Sequence, residues 1–586
     1  MSFPMGNHTY FAWFAMVPLL LRTVNGQKPF KKGFITGLVF FFGTQSWINN
    51  SISRYGHVPF FLGVLIVLAL CAYEGLYAGL FGYLVNRVSA KTKIPIFLSV
   101  PSLWVGLEYL RGILLTGFPW SFLGYTQYRA LPLIQVSNIT GVYGVSFILV
   151  MSNAVIAALL LNNPFVKQPS YKPSATDTSG KITSGMLTSG TFECAIFGAA
   201  AFAVVLAASL IYGYAVIKAG TSDVGRTDAV TISVIQGNIA QGMKWDKKYE
   251  EEVIGTYENL SRRALEGKST TLQAPLQTPP QAPLQAPQAP RQAPAQASPQ
   301  PPQMPQIPQM IVWPETSLPF LFYYDMKNTK SFIEFDKTMH TYLLFGTVIV
   351  KGFVSNQYKI SNSAVLLNPD GQIEYVYDKV HLVPFGEYVP FKNVLNFVGK
   401  LVNAVGDFDQ GKEKRLAKTS IGSFAVHICY EIVFPGLVRE FYENGGDFIV
   451  TITNDAWFGK SAGPYQHFIM SIFRAVENGK PLVRAANTGI SGFVDATGAV
   501  LGQTGLFEKT VLTVKIYKNS RLTFYSAYGD LFAFGCNLFN LFMVIRLIAV
   551  KLMVVKLKSR QSNGDGTTYP PKTVGKIRKN KGGNRK

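Results

Sequence analysis

Charge is scarce in this sequence. Only 15% of its 586 residues are Asp, Glu, Lys or Arg, against about a quarter in ordinary soluble domains, which argues against a typical water-soluble enzyme. Acidic side chains are the rarer kind, 33 against 55 Lys and Arg, so an acidic disordered chain is excluded. The four cysteines include no CxxC pair. They are too few for a disulfide-stapled scaffold and show no zinc or redox spacing. There is no GxGxxG and no GxxxxGKS or GxxxxGKT phosphate loop, so no nucleotide is expected, and no metal or other cofactor.

Apolar residues are plentiful, at 48%. The length exceeds one compact domain, so at least two structural units are expected. A net charge of +22 on such a chain suits nucleic acid or a membrane protein with basic loops, and the placement of the charge decides.

Long apolar runs at His8–Val24, Gly33–Ile52, Phe60–Val85, Ile94–Leu115, Leu133–Leu161, Ala195–Ile217 and Tyr528–Val555 are read as membrane spans. Most approach the ~20 residues that cross a bilayer. The first is short, and the fifth is long enough to be tilted or broken. Basic residues cluster in alternate connections: Arg22, Lys28, Lys31 and Lys32; Arg87, Lys91 and Lys93; Lys167, Lys172 and Lys181. Arg54 and Arg129 stand alone in the others. Cytoplasmic loops are the basic ones, which places Lys218–Lys518 outside and returns the tail to the inside. That tail holds ten Lys or Arg from Lys556 to Lys586 against one acid, Asp565. The charge is thus an orientation signal, not a nucleic-acid footprint. The same topology puts the N-terminus outside with no signal peptide, so an upstream first span is expected to be missing.

Glu74, Glu108 and Arg111 are costly in lipid and are expected to face protein, water or each other. Glu108 and Arg111 have the spacing of a helical ion pair. Thr116–Trp120 (TGFPW) reads as an interrupted turn at the outer interface, with aromatics suited to anchoring.

From Ala229 the texture changes to strands alternating with helices. Strands are expected at Ala229–Ile235, Met310–Trp313, Thr341–Val350, Ser363–Leu367, Ser423–Cys429, Phe448–Thr453, Gly492–Asp495 and Thr510–Ile516. Helices are expected at Lys247–Leu265, Lys330–His340, Gly436–Asn444 and Pro464–Gly479, giving an α/β sandwich. A Gln/Ala/Pro repeat at Thr270–Met310 blocks helix and central strand alike and reads as a disordered or polyproline-II linker. The expected organisation is a transmembrane domain of about six spans at 1–220, an α/β domain at 229–518, a last span at 528–555 and a basic disordered cytoplasmic tail at 556–586.

Three polar groups fall at strand ends: Trp313-Pro314-Glu315, the stretch Asp378–Pro390 with Lys379 and Glu387, and His427-Ile428-Cys429-Tyr430-Glu431. Each alone is weak, since a strand cysteine is usually an inert small hydrophobe. Cys71, Cys194 and Cys536 are read as structural. His427 shares a strand face with Cys429, yet same-face neighbours do not normally give in-line attack geometry, so it is not taken as a base. His381 and His467 read as polar-network residues.

Together the WPE glutamate, the lysine before a Pro-rich loop and the CYE cysteine resemble the Glu–Lys–Cys triad of the nitrilase, or carbon–nitrogen hydrolase, superfamily. With HLVPFGEYVPF, HICYEIVFPG, TNDAWFGKSAGPYQHF, RAANTGISG and LRG…LTGFPW in order, nearly the whole chain resembles the bacterial apolipoprotein N-acyltransferases. It departs from them in the missing first span, the Gln/Ala/Pro insertion, the long Ser170–Thr191 loop and the basic tail, none of which touches the triad. The resemblance implies a polytopic α-helical membrane domain plus an extracytoplasmic α/β nitrilase-like sandwich of α-β-β-α layers. It implies a multi-pass protein of the bacterial inner membrane, with its catalytic domain on the periplasmic side.

By the same resemblance Cys429 is the nucleophile, Glu315 the general base and acid, and Lys379 the oxyanion stabiliser. Glu387, Tyr430 and Glu431 support them. Trp245 lines the acyl-donor side, and Trp457, Phe458 and Gly459 form part of the pocket wall. A phospholipid would acylate Cys429, and the α-amine of a diacylglyceryl N-terminal Cys on an apolipoprotein would take the acyl chain from the thioester. A monomer is expected, with no nucleic acid partner. A membrane-anchored amidase or nitrilase acting on a small C–N substrate would share the triad but not explain seven spans. A non-enzymatic membrane scaffold with a decayed domain would not explain an intact triad.

Overall fold

The computed structural model describes residues 3, 8–24, 26–92, 94–162, 192–221, 228–269, 307–354, 357–388 and 408–564. The Ser170–Thr191 loop, most of the Gln/Ala/Pro insertion (270–306) and the tail at 565–586 lie outside the described residues.

Among those described, four helices are long and apolar enough to cross a membrane: Phe60–Lys91, Val142–Leu161, Phe192–Gly220 and Leu531–Val555. The other expected spans are shorter or broken. His8–Val24 is a 3-10 turn, Thr9–Trp13, followed by the helix Val17–Val24. Gly33–Ile52 divides into Pro29–Gln45 and Ile48–Arg54. The break has a cause, because the Thr44 carbonyl accepts from Trp47 Nε1 (3.1 Å) and from Gln466 Nε2 (3.0 Å). Ile94–Leu115 becomes the helix Ile96–Ile113, with Pro101 inside it. Leu133–Leu161 breaks at Gly141, whose φ of 64° suits glycine. A Cβ there would also lie 2.8 Å from the Tyr525 ring.

The last helix starts at Leu531 rather than Tyr528, after a turn at Gly529 with φ 67°. It runs to Gly564, so the first part of the tail is helical, not disordered. The residues at 556–563 include no Gly or Pro, and the helix ends at its first strong breaker. Arg111 pairs with Glu74 at 2.7 Å rather than with Glu108. Glu108 Oε1 instead accepts from the Leu123 N–H (2.8 Å).

The α/β part runs from β1 (Ala229–Gln236) through β2 (Met310–Val312), β3 (Leu321–Phe322), β4 (Tyr342–Val354), β5 (Gln357–Leu367), β6 (Ile373–Asp378), β7 (Ala417–Thr419) and β8 (Gly422–Ile428). It continues with β9 (Phe448–Thr453), β10 (Leu482–Ala486), β11 (Gly492–Val494), β12 (Val500–Gln503) and β13 (Thr510–Tyr517). One sheet has the order β13-β1-β2-β4-β5-β6, with β3 beside β4, and the other has β12-β11-β10-β9-β8-β7. Each has a parallel centre, β1/β2/β4 and β8/β9/β10, with antiparallel strands outside it.

Period-two patterning fills two cores from the first sheet. Val230, Ile232, Val234, Met310, Val312 and Leu344 join the core shared with the second sheet. Ile235, Ile311, Trp313, Leu343 and Phe345 pack under the helices Glu250–Leu265 and Met326–Lys337. On the second sheet lie Pro435–Tyr442 and Gly463–Asn478, which completes the α-β-β-α layering. The helix Gly463–Asn478 is buried on both sides, between its sheet and the membrane helices. Its Arg474 pairs with Glu477 (2.6 Å), and Glu477 Oε1 accepts the Val142 N–H at the start of Val142–Leu161 (3.0 Å), where a helix favours a negative group.

Asp336 is buried under the first sheet with no hydrogen-bond partner on either carboxylate oxygen among the described residues, and burial pushes its carboxyl up to about 8. The folded chain therefore holds a proton that the unfolded chain gives up near pH ~4. The associated stability is full below that value and is lost as pH rises through about 8. Asp336→Asn is expected to raise the unfolding temperature by several degrees at about pH 8.5 and to leave it unchanged near pH ~4. Thermal unfolding of detergent-purified protein at both pH values checks this.

Candidate active site

Glu315 follows β2 in a turn pressed against β4. Gly346 permits the approach, since a Cβ there would lie 2.6 Å from the Glu315 Cα. Both carboxylate oxygens are held: Oε1 accepts from Asn362 Nδ2 (2.8 Å) and Oε2 from the Asn454 N–H (2.9 Å). Its carbonyl accepts from Lys244 Nζ (3.0 Å), a lysine 2% exposed. Burial pulls the Lys244 ammonium down to about 8, against the opposing pull of Glu315 and Cys429.

Lys379 follows β6 and is equally buried. Its N–H donates to the Asn362 carbonyl (2.9 Å), and its Nζ lies 2.9 Å from Glu387 Oε1 and 3.7 Å from Glu315 Oε1. Asn362 Nδ2 donates to Glu387 Oε1 as well (2.9 Å), so one amide ties both carboxylates. Glu387 Oε2 accepts the Val383 N–H (2.8 Å), closing the loop that carries it. Burial opposes the charge on Lys379, but Glu387 and Glu315 overcome it and hold the ammonium above its usual range.

Cys429 ends β8 and opens a 3-10 turn at φ 53°. Thr316 (51°) and Phe385 (60°) are also left-handed without being glycine. Such backbone costs energy and persists only where its surroundings impose it. Glu431 supplies part of the constraint at Cys429. Its carboxylate accepts from the Ile428 N–H (2.7 Å), the Val380 N–H (2.7 Å), the His381 N–H (3.0 Å) and the Tyr377 hydroxyl (2.8 Å). One side chain thus fixes the residue before Cys429 against the two residues after Lys379. Burial, and then Glu315, push the Cys429 thiol above its ordinary value, while Lys379 opposes them. The thiol rests protonated and needs a base to become a nucleophile.

The histidines do not supply that base. His427 packs edge-on against Phe441 with neither ring nitrogen partnered among the described residues, and burial pulls it down to about 3. His381 is pulled down to about 4 by burial and Lys379, and stacks on Phe434. His467 is held low by burial and Arg484. Its Nε2 lies 3.2 Å from the Cys429 carbonyl, and its Nδ1 lies 3.0 Å from both Asp455 Oδ1 and Arg484, which also grips Asp455 (2.7 Å).

Tyr430 packs on His381 and Phe434 beside Cys429. Trp245 is 45% exposed, next to Lys244. Trp457 and Phe458 are not free wall: they pack on Tyr55 and on Trp47 of the membrane part. Gly459, at φ 60°, lies where a Cβ would meet Asn50 Nδ2 at 2.2 Å. The sequence reading missed Asn362, Lys244 and the backbone of Asn454. The polar triplet Ser361-Asn362-Ser363, directly before the apolar run Ala364–Leu367, is the signal for the first. Among the described residues, no three His, Cys, Asp or Glu side chains are grouped to hold a metal ion.

This arrangement can acylate a thiol. A carboxylate, a buried ammonium and a cysteine meet at the ends of β2, β6 and β8, on the side that the membrane helices cover. Residues 1–155 match the model of the apolipoprotein N-acyltransferase N-terminal domain, and residues 295–521 match that of the carbon–nitrogen hydrolases. The apolipoprotein N-acyltransferase of Geobacter metallireducens is 36% identical over 538 residues, covering 92% of this chain and 90% of that protein. Those of Haemophilus influenzae (30%, covering 91% and 89%) and Haemophilus ducreyi (31%, covering 85% and 84%) are also similar. The chain belongs to the apolipoprotein N-acyltransferase family.

Proposed function

We propose that this N-acyltransferase works through a thioester on Cys429, with Glu315 as base and acid and Lys379 as the cation facing the oxyanion. The supporting observation is the buried Glu315–Asn362–Glu387–Lys379 cluster, closed by the Asn454 N–H and set beside a cysteine on a left-handed turn.

In the first half-reaction Glu315 takes the thiol proton, and sulfur attacks an ester carbonyl carbon of a phospholipid. The carbonyl oxygen becomes negative against Lys379, a preorganised charge in a water-poor site. The ester C–O bond breaks, the leaving alkoxide takes the proton from Glu315, and a lysophospholipid departs. In the second, the α-amine of a diacylglyceryl N-terminal Cys on an apolipoprotein attacks the thioester. Its proton passes to Glu315, the C–S bond breaks, and the departing thiolate regains a proton.

Glu387 keeps Lys379 charged and aimed, and Glu431 with Tyr430 holds the nucleophile's turn. Trp245 is the exposed aromatic on the acyl-donor side, and Trp457–Gly459 bound the site where it meets the membrane helices. Both substrates are lipids, which accounts for a membrane region of about six spans before the catalytic domain at 229–518 and one after it. The basic loops support an inner-membrane protein whose catalytic domain is periplasmic and whose tail is cytoplasmic.

Full-length protein in detergent, given phospholipid with a labelled acyl chain, is expected to carry the label on Cys429 and pass it to a diacylglyceryl peptide. Cys429→Ala is expected to carry none. Label retained in that variant, or release of free fatty acid without transfer to the peptide, overturns the reading.

A further inference from the structure

Three hydrogen bonds cross from the membrane part to consecutive carbonyls of the loop after β9. Asn50 Nδ2 donates to the Phe458 carbonyl (2.9 Å), Ser51 Oγ to that of Trp457 (2.7 Å) and the Tyr55 hydroxyl to that of Ala456 (3.0 Å). Asn50 and Ser51 lie on the helix Ile48–Arg54, and Tyr55 caps it. The acceptors belong to a one-turn 3-10 segment, Asp455–Phe458, in which the Ala456 carbonyl also accepts the Gly459 N–H (3.2 Å). Its neighbour on the N-terminal side is Asn454, whose N–H holds Glu315 Oε2.

A second grip lies on the following helix. Gln466 Oε1 accepts from Trp47 Nε1 (3.0 Å) and Trp120 Nε1 (2.7 Å), and its Nε2 donates to the Thr44 carbonyl (3.0 Å). The next residue, His467, holds the carbonyl of Cys429. Membrane residues therefore reach Glu315 and Cys429 by separate routes: the nearest held carbonyl, Ala456, is two residues from Asn454, and Gln466 is next to His467.

We infer that Asn50, Ser51 and Tyr55 are positioning residues for the acyl transfer. By fixing the carbonyls of Ala456–Phe458 they keep the Asn454 N–H on Glu315, so the base is complete only when the catalytic domain is seated on the membrane helices. This rests on reading Glu315 as the base. A backbone N–H donated to a carboxylate favours its ionised form. When the loop is released, Glu315 loses that donor, and its carboxylate is no longer held aimed and ready to act as base.

The test is single-turnover acylation of the full chain in detergent by labelled phospholipid, measured across pH. The variant combining Asn50→Ala, Ser51→Ala and Tyr55→Phe is expected to shift the acidic limb of the profile to higher pH and to slow acylation roughly tenfold near neutrality. Ser53→Ala is the control: its hydroxyl bonds Asn49 rather than the loop, and its profile is expected to match the parent. Tyr55→Phe alone keeps the ring on Trp457 and is expected to shift the limb in the same direction by less, which keeps the test open if the triple variant does not fold. Glu315→Gln is expected to abolish the limb. If it does not, the reading of Glu315 fails and the proposal with it. If it does, and the loop variants lose amplitude evenly without moving the limb, the contacts are structural only and the positioning role is overturned.

Discussion

Glu315→Gln is expected to slow acylation of Cys429 by about 10²–10⁴-fold, the usual worth of a general base. The thiol starts above its ordinary pKa because it is buried and faces Glu315, so almost no thiolate forms without help. The amide cannot take the proton. It also cannot satisfy both neighbours, because Asn362 Nδ2 and the Asn454 N–H are both donors and one end of a glutamine is a donor too. That mismatch costs about 1–3 kcal/mol of local stability. The pH dependence separates the two effects. Removing the negative charge lowers the thiol pKa, so the residual rate is expected to climb through the alkaline range, where the parent enzyme is flat. Single-turnover labelling against pH decides it, and a variant within about tenfold of the parent at neutral pH would place the base elsewhere.

Lys379→Met is expected to be as damaging for a different reason. On the proposed mechanism it removes the cation facing the developing oxyanion, worth about 10²–10³-fold, and it leaves Glu315 and Glu387 sharing the amide of Asn362 with nothing positive between them. Removing one partner of a buried charge set typically costs about 3–5 kcal/mol. The double variant Lys379→Met with Glu387→Gln relieves the repulsion. It is expected to recover much of the thermal stability and none of the acylation rate. Recovery of both would assign Lys379 to folding alone, and recovery of neither would mean that the two carboxylates do not repel each other across this site.

How far the sequence could be read follows from the range of each interaction. β1, β9 and β13 lie where β-branched apolar runs put them, because a buried strand writes its whole pattern locally. β10 (LVRAA) was missed because Arg484 interrupts the run. That arginine is buried against Asp455, a partner that no local pattern reveals. β6 was missed because it is half exposed and carries Glu374 and Asp378. Apolar length located the membrane helices but not their breaks. The Gln45–Trp47 bend depends on Gln466, more than 400 residues away in sequence. At the site, Glu315, Lys379, Glu387 and Cys429 were legible as motifs. Asn362 and Lys244 were not, since what they do is set by tertiary partners far away in sequence, Glu315 and Glu387 for Asn362 and the Glu315 carbonyl for Lys244. Trp457–Gly459 were read as pocket wall, and their packing on the membrane part could not be seen from a strand-end motif.

The lysine beneath Glu315 has a further consequence. With Lys244 on its carbonyl and Lys379 near its carboxylate, Glu315 and Glu387 are matched by two ammonium groups. Glu431, a third carboxyl and a buried one, also acts on Lys379, and the thiol that joins the set is uncharged at rest. On the proposed mechanism every stage of acylation relocates one negative charge, from carboxylate to sulfur to oxyanion to alkoxide and back, without altering the total. A site with constant charge draws no counter-ion through its mouth during turnover, so a thioester can wait there for an amine while water is kept out.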